Sequence, residues 1–151
     1  MIIRRINKQD VLENENKMKE LIEITYRTNF QGNYNYNKIA IDTYNRLVSF
    51  IDDNTAILFG AFNENEILGF IWAHEREFMG EIRLHGALLV VDESIRHIGI
   101  GKELMLKMEE IARERNIKTI ESLITSNNSK IVLFTEKLGY KCTRMQIEKE
   151  V

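Results

Sequence analysis

The feature that most constrains the fold of this chain is a short segment in which an apolar stretch leads through a polar turn and two glycines into a helical pattern. Residues 90–102 read VVDESIRHIGIGK. The apolar stretch that ends at Val91 predicts a buried strand, and the amphipathic spacing after Gly101 predicts a helix. Glycines at a helix start leave backbone N–H groups accessible, and the helix dipole adds partial positive charge there. The segment therefore predicts an anion-binding turn suited to a pyrophosphate.

Two well-known phosphate-binding motifs are excluded by residue type. A P-loop requires a glycine five residues before its Gly-Lys pair and a Ser or Thr after it, but this chain has Arg96 and Glu103 at those places. A dinucleotide-binding fingerprint requires a third glycine where Leu104 lies. The turn must therefore belong to another class of anion site.

The rest of the chain reads as strands and helices of a single α/β domain that spans residues 1–151. Apolar, β-rich stretches predict strands, and apolar residues at helical spacing predict helices. Strands are expected at residues 2–6, 55–62, 66–74, 81–91, 119–125 and 140–149, and helices at 9–27, 39–51, 101–116 and 130–138. In the first helix, Leu12, Met18 and Leu21 belong to the face that is expected to be buried.

Composition excludes several classes of protein. A hydrophobic content of 44% supports a packed core, and a net charge of −2 gives no electrostatic footprint for binding nucleic acid. The apolar runs are too short to span a membrane, and residues 1–5 contain no apolar region of signal-peptide length. The single cysteine, Cys142, is expected to be a buried strand residue. It cannot form an internal disulfide, which predicts a cytoplasmic location.

Two motifs resemble those of the GNAT superfamily of N-acetyltransferases. The first, Arg96-x-x-Gly99-x-Gly101 after an apolar strand, resembles the family's acetyl-CoA signature, Arg/Gln-x-x-Gly-x-Gly/Ala. The second runs from Asn128 to Tyr140 and resembles the family's Asn-x-x-Ala-x-x-Leu-Tyr-x-Lys-x-Gly-Phe. The resemblance implies the GNAT fold, an α/β architecture with a mixed central sheet of about six to seven strands flanked by about four helices.

The resemblance also implies a cofactor, acetyl-CoA, and the residues that hold it, whereas no metal site is expected. Backbone N–H groups of the turn would bind the pyrophosphate, and the pantetheine arm would lie along the preceding strand. Asn128 would contact that arm, or cap the following helix, or do both. The expected cofactor-binding residues are Leu89, Val90, Val91, Arg96, His97, Ile98, Gly99, Ile100, Gly101, Lys102, Asn128 and Phe134.

The catalytic residues follow from what acetyl transfer to an amine needs, which is a base and a way to release the thiolate. His85 occupies a strand position that the family uses for the base, and an imidazole changes protonation near neutral pH. The alternative is a half-exposed strand histidine without a catalytic role. Glu81 shares the face of His85 if the strand alternates regularly. Thr135 stands where many family members have a tyrosine that protonates the thiolate. A threonine hydroxyl is too weak an acid to replace it readily, but as a catalytic residue it could hydrogen-bond the sulfur or hold a water.

The predicted function is direct transfer of an acetyl group from acetyl-CoA to a primary amine of a small molecule or a peptide. The alternative is a non-catalytic module of the same fold that binds or senses acyl-CoA, which the missing tyrosine allows. The acceptor is not specified by these motifs: Tyr26, Phe30, Tyr34 and Tyr36 either wall a substrate pocket or pack under a loop. Self-association through an edge of the sheet or through the last strand would give a homodimer.

Overall fold

The computed structural model describes residues 1–151 as a mixed five-stranded sheet with helices on both faces. The strands are β1 (Ile2–Arg5), β2 (Ile57–Asn63), β3 (Glu66–Phe78), β4 (Glu81–Val91) and β5 (Ile120–Ser122). They lie in the order β1-β2-β3-β4-β5, and neighbours are antiparallel except for the parallel pair β4 and β5. The α/β GNAT architecture is confirmed, but the expected number of six to seven strands is too high.

Five α-helices cover the sheet: α1 (Lys8–Glu13), α2 (Glu15–Asn29), α3 (Tyr36–Asp52), α4 (Ile100–Glu114) and α5 (Ser129–Lys137). A short 3₁₀ turn, Glu93–Ile95, follows β4. Helices α1 to α3 share one core cluster with one face of the sheet, and α4 shares a second cluster with the other face. Because both faces are covered, β2 is apolar along almost its whole length: Leu58 and Phe62 enter the first cluster, and Phe59 and Ala61 enter the second. No helix combines the length and the hydropathy needed to cross a membrane.

The helix expected at residues 9–27 is in fact two helices, because Asn14 joins the break between them to the sheet. The buried Asn14 side chain donates from Nδ2 to Asn65 O at 3.2 Å and accepts at Oδ1 from Ile67 N at 3.0 Å. The break also changes which residues face the core. Val11 is fully buried, whereas Leu12 is 50% exposed, so the expectation of a buried Leu12 is wrong.

No strand follows α5, so the strand expected at residues 140–149 is wrong. The helix ends before Gly139, which has φ 91°, and residues 141–151 are exposed. The apolar residues Met145 and Ile147 are 86% and 91% exposed, so alternation in this segment buries no side chains. Cys142 lies in this segment and is exposed instead of buried.

Candidate active site

Strand β4 has a free edge in its second half. Its parallel pairing with β5 ends at Gly86, opposite Ser122. At Ala87 the ladder between β3 and β4 contains one extra residue, and such a β-bulge bends the strand that carries it. From Leu88 to Val91, β4 therefore has a strand partner on the β3 side only.

The direction of the backbone groups on this free edge follows from one hydrogen bond at the end of β4. Asp92 N donates to Leu68 O at 2.7 Å, so this N–H points toward the side of β3. Because N–H directions alternate along a strand, Leu89 and Val91 point their N–H groups toward the free side. Val90 between them points its N–H at β3, and its side chain is buried in the first core cluster. The free edge thus offers two backbone N–H donors, those of Leu89 and Val91, that point in the same direction.

The turn after β4 presents a run of backbone N–H groups that have no acceptor in the protein. The N–H groups from His97 to Lys102 make no hydrogen bond, and the first helical bond at the start of α4 runs from Glu103 N to Gly99 O at 3.0 Å. His97 and Gly99 have φ of 67° and 91°, and a Cβ on Gly99 would meet nothing within 4 Å. Gly99 is therefore required for its backbone conformation, and the turn can surround an anion.

Side chains add positive charge and rigidity to this turn. Arg96 is exposed, and its Nε donates to Val91 O at 3.0 Å, which holds the side chain across the turn and leaves its terminal nitrogens free. Lys102 is exposed in the first turn of α4, and Ile98 is 63% exposed beside it. Ile100 is buried in the second core cluster and anchors the start of α4.

An ion pair braces the turn against α2. Lys17 Nζ lies 2.6 Å from Asp92 Oδ2, and the two side chains are only 21% and 17% exposed. Asp92 also accepts hydrogen bonds from the backbone N and the hydroxyl of Ser94. The hydrogen bonds from Lys17 and Ser94 lower the pKa of Asp92 to about 2. Asp92 therefore stays ionised and fixes the exit of β4.

Helix α5 packs beside the start of α4. A Cβ on Gly101 would lie 3.6 Å from the Phe134 ring, which is ordinary contact and places that ring next to the turn. Asn128 caps α5, since its Oδ1 accepts from Ile131 N at 3.3 Å. Its Nδ2 donates to Asn29 Oδ1 at 2.7 Å. The capping role of Asn128 is thus present, and its amide nitrogen already has a partner at the end of α2.

His85 pairs with a glutamate that sequence reasoning missed. His85 Nδ1 lies 2.9 Å from Glu121 Oε2, and both side chains are about nine-tenths buried. Burial raises the pKa of Glu121, but the hydrogen bond from His85 and the charges of Arg76, His85 and Arg83 lower it by more, so the net shift is downward. An ionised carboxylate only accepts hydrogen bonds, so Nδ1 carries a proton toward Glu121, and in the neutral tautomer that this contact selects the lone pair lies on Nε2.

A cavity of about 310 Å³ lies beside His85, where the free edge of β4 begins. Gly86 and Ala87 line it, so the cavity adjoins the bulge. Such a volume is at the lower end of the range for small-molecule sites. A larger cavity of about 540 Å³, lined by Glu75 and Glu81, lies at the opposite end of β4. The smaller cavity, in contact with the histidine and the bulge, is the better candidate for substrate.

The structure does not bring the other two expected catalytic residues to His85. Glu81 is exposed at the start of β4, about 13 Å along the strand from His85, and accepts from Thr119 Oγ1 at 3.1 Å. The Thr135 hydroxyl lies 3.0 Å from both Ile131 O and Val132 O of its own helix. A single hydroxyl proton used inside α5 is not available to a leaving group.

The aromatic residues between the second and third helices pack on one another. Tyr26 and Phe30 stack with ring centroids 5.8 Å apart, and the Tyr36 hydroxyl donates to Phe30 O. Tyr34 meets the edge of the Tyr36 ring at 5.9 Å. None of them lines the cavity beside His85. Phe30 and Tyr34 are 48% and 57% exposed, so these two rings lie at the surface of the loop and away from the cavity beside His85.

These features define an α/β protein in which the open edge of a strand connects a turn with unpaired N–H groups to a cavity lined by histidine. The chain matches the model of the acetyltransferase (GNAT) family over residues 16–140, and it therefore belongs to this family. It is 36% identical over 88 residues to the uncharacterized protein YxbD of Bacillus subtilis (strain 168). This match covers 58% of the chain and 52% of YxbD, so it spans about half the length of that relative.

Solved structures share the fold over almost the whole chain. A GCN5-related N-acetyltransferase from Ralstonia eutropha JMP134 superposes with a TM-score of 0.79 at 18% identity, covering 99% of this chain and 97% of that one. A predicted acetyltransferase from Clostridium acetobutylicum, in a structure with acetyl-CoA, gives a TM-score of 0.74 at 15% identity, covering 99% and 95%. At such identities the likeness establishes the fold.

Proposed function

We propose that this protein transfers an acetyl group directly from acetyl-CoA to a primary amine of a small molecule or a peptide. The observation that carries the proposal is the run of N–H groups without acceptors from His97 to Lys102, at the end of a strand whose free edge leads to His85. A structural relative that was solved with acetyl-CoA supports the choice of ligand. Membership of the GNAT family supports the reaction class.

The residues of the turn and of β4 fit the two ends of this cofactor. N–H groups from His97 to Lys102 would hold the pyrophosphate, and Arg96 and Lys102 would balance its charge. The pantetheine arm contains two amide-linked units, so it has the hydrogen-bonding groups of a short extended peptide. It would pair with Leu89 and Val91 along the free edge of β4, in the manner of an extra strand. Phe134 packs beside this path.

His85 is the proposed base. Acetyl-CoA supplies the acetyl group as a thioester. His85 takes the proton of the attacking amine at Nε2, while Glu121 holds the ring and favours its charged form. The new N–C bond forms as the C–S bond breaks, and the N–H of Leu89 or of a neighbouring residue donates to the acyl oxygen as charge develops there. Cys142 is exposed in the segment after α5, outside this site, which favours direct transfer over an acyl-cysteine route.

The occupied hydroxyl of Thr135 is the observation that favours the second candidate, a module that binds or senses acyl-CoA without turnover. With that hydroxyl bonded inside α5, the thiolate would take its proton from water in the catalytic case. Release of free CoA together with an acetylated amine would establish transfer. Tight binding of acetyl-CoA without turnover of any primary amine would establish the sensor instead. The cytoplasmic location and the homodimer stay predictions.

Calorimetric titration with acetyl-CoA tests the cofactor site. We expect micromolar binding by the wild type, and we expect Gly99→Glu to weaken it by about tenfold or more. The substitution puts a negative charge in the turn and a side chain on a residue with φ 91°, which glycine adopts readily and glutamate does not.

The matched control is Gly80→Glu, in the turn between β3 and β4. Gly80 also has a positive φ, 82°, and an open surrounding in which a Cβ would meet nothing within 4 Å. Both variants should therefore lose similar stability, but only Gly99→Glu should lose acetyl-CoA binding. Equal loss of binding in the two variants, or no binding by the wild type, would overturn the assignment of the cofactor site.

A further inference from the structure

One arginine beside the cavity next to His85 has no partner of opposite charge. Arg46 is exposed on α3, and its guanidinium makes neither an ion pair nor a hydrogen bond with the protein. Its Cζ lies 5.4 Å from the centroid of the Trp72 ring, so the side chain is held over an aromatic face. This arrangement leaves the donors of the guanidinium free for a ligand.

Arg46 brings a permanent positive charge to the cavity, and no Asp or Glu lines it. The other side chains there with polar atoms are Trp72, His74 and His85. The nearby carboxylate, Glu121, is already bonded to His85 and paired with Arg76. An acceptor with several positive charges would find no free carboxylate here and would be repelled by Arg46.

Aromatic rings form a continuous path between Arg46 and His85. The Trp72 centroid lies 6.3 Å from that of His74, and the His74 centroid lies 5.3 Å from that of His85. Phe50 contacts this path, with its ring 5.3 Å from Trp72 and 4.8 Å from His74. Trp72 is only 1% exposed and lies beneath Arg46, so a ligand that spans Arg46 and His85 would lie along Phe50 and His74.

We infer that the acceptor is an amine that also carries a carboxylate, and that Arg46 binds this carboxylate while the amine lies at His85. A planar guanidinium matches a carboxylate with two parallel hydrogen bonds, which fixes the orientation of the acceptor. The inference rests on the proposed transferase function, because it names the substrate class of the same site. Neutral amines and polyamines are the competing acceptors, and the test separates them.

Steady-state acetylation of matched amines tests this inference. The probes are ω-amino carboxylates of increasing chain length, the corresponding ω-amino amides and the corresponding diamines. We expect one carboxylate length to exceed its amide and its diamine in kcat/KM by about tenfold or more. Arg46→Gln should lower kcat/KM for that carboxylate by a similar factor, mainly through KM, and should leave the amide unchanged. Arg46→Glu should reverse the order of carboxylate and diamine.

The matched control is Arg5→Gln. Arg5 also lies over an aromatic ring, with its Cζ 5.0 Å from the Phe59 centroid, and it has no ion pair, but it lies on β1 at the other edge of the sheet. This variant should keep the kcat/KM of the wild type for every probe. An equal rate for carboxylate, amide and diamine, or a preference that survives Arg46→Gln, would overturn the inference and leave the transferase function standing.

A binding measurement keeps the inference testable if turnover is absent. The thermal midpoint of the protein saturated with acetyl-CoA should rise with the favoured ω-amino carboxylate in the wild type, and the rise should vanish in Arg46→Gln. A rise that is the same in both proteins would contradict the role of Arg46. Failure of the wild type to bind acetyl-CoA in the calorimetric experiment would instead contradict the proposed function itself.

Discussion

Among single residues, Glu121 offers the sharpest test of the proposed mechanism, because it contacts the base and not the reacting atoms. Glu121→Gln keeps the size of the side chain and removes the charge that holds the His85 ring. We expect kcat to fall by about tenfold or more, with the dissociation constant of acetyl-CoA unchanged. The pH–rate profile should also change, because the residue that His85 contacts no longer carries a charge. Initial rates measured across the pH range give both quantities.

Two further variants, one that removes the base and one control, are compared with Glu121→Gln. His85→Ala should slow transfer by about tenfold or more and change the pH–rate profile. Glu75→Gln is the control: Glu75 is an exposed strand residue whose ion pair with Arg115 measures 3.1 Å, and its loss should leave rate and profile unchanged. A pH–rate profile of Glu121→Gln that coincides with that of the wild type would contradict the positioning role of Glu121.

The two partners of this pair differ in how far the sequence alone could predict them. His85 was identified because it occupies a strand position that resembles the family's base position. Glu121 follows 36 residues later and meets His85 only through the parallel register of β4 and β5. Its one sequence signal is a charged residue inside a short stretch that reads as a buried strand. A register of this kind depends on the crossover through α4, which no local pattern encodes.

For strands and helices too, local sequence patterns predict some features, whereas others depend on residues far apart in the chain. Strand β4 was predicted at residues 81–91 and has these bounds, because its alternation and apolar end are local signals. The bulge at Ala87, where the free edge begins, has no such local signal. It forms where β4 has one residue more than the paired part of β3, so it depends on how the two strands pair. The break between α1 and α2 was missed for a similar reason: Asn14 bonds to residues more than fifty positions away.

Variants of Asn128, the residue that caps α5, test whether this side chain stabilises the helix or binds the cofactor. Asn128→Ala removes the cap and the bond to Asn29, and it should lower the free energy of unfolding by about 1 kcal/mol. Asn128→Ser restores a capping oxygen and should recover much of that loss. Denaturant unfolding and acetyl-CoA titration of both variants give the answer: if Asn128 acts mainly as a cap, Asn128→Ser binds like the wild type. Weak binding by a stable Asn128→Ser would assign the amide to the cofactor.

For the whole molecule, the sequence predicted the layered architecture but not the end of the chain. The apolar end of β4, Ala87–Val91, is typical of a strand in a sheet with both faces covered, and the two core clusters on opposite faces confirm this architecture. The expected last strand failed because alternation in residues 140–149 is only a necessary condition for a strand. A strand also needs an edge to pair with, and residues 140–149 pair with no strand of the sheet. The strand count was therefore the property least accessible from the sequence.

The ion pair between Lys17 and Asp92 links the helical layer to the sheet, so its titration should affect the stability of the whole molecule. Asp92 has a pKa of about 2 in the folded protein, below the ordinary value of 3.8. A group with a lowered folded pKa stabilises the fold fully above its unfolded pKa and loses this effect as the pH falls toward the folded pKa. Asp92→Asn should therefore cost about 2 kcal/mol at neutral pH, and the difference from the wild type should shrink between about pH 4 and pH 2.

We expect Asp92→Asn to be destabilising because the ion pair is buried, and not because its N–O distance is short. A second ion pair of the same length, but exposed, is the control. Lys38 Nζ lies 2.6 Å from Asp42 Oδ2, the same distance as in the pair of Lys17 and Asp92, but its side chains are 69% and 60% exposed. Exposed pairs contribute little, so Asp42→Asn should match the wild type at every pH. Urea unfolding of the three proteins from pH 7 to pH 2 measures both differences. A gap between Asp92→Asn and the wild type that stays constant down to pH 2 would mean that the aspartate stabilises the fold through contacts that do not need its charge.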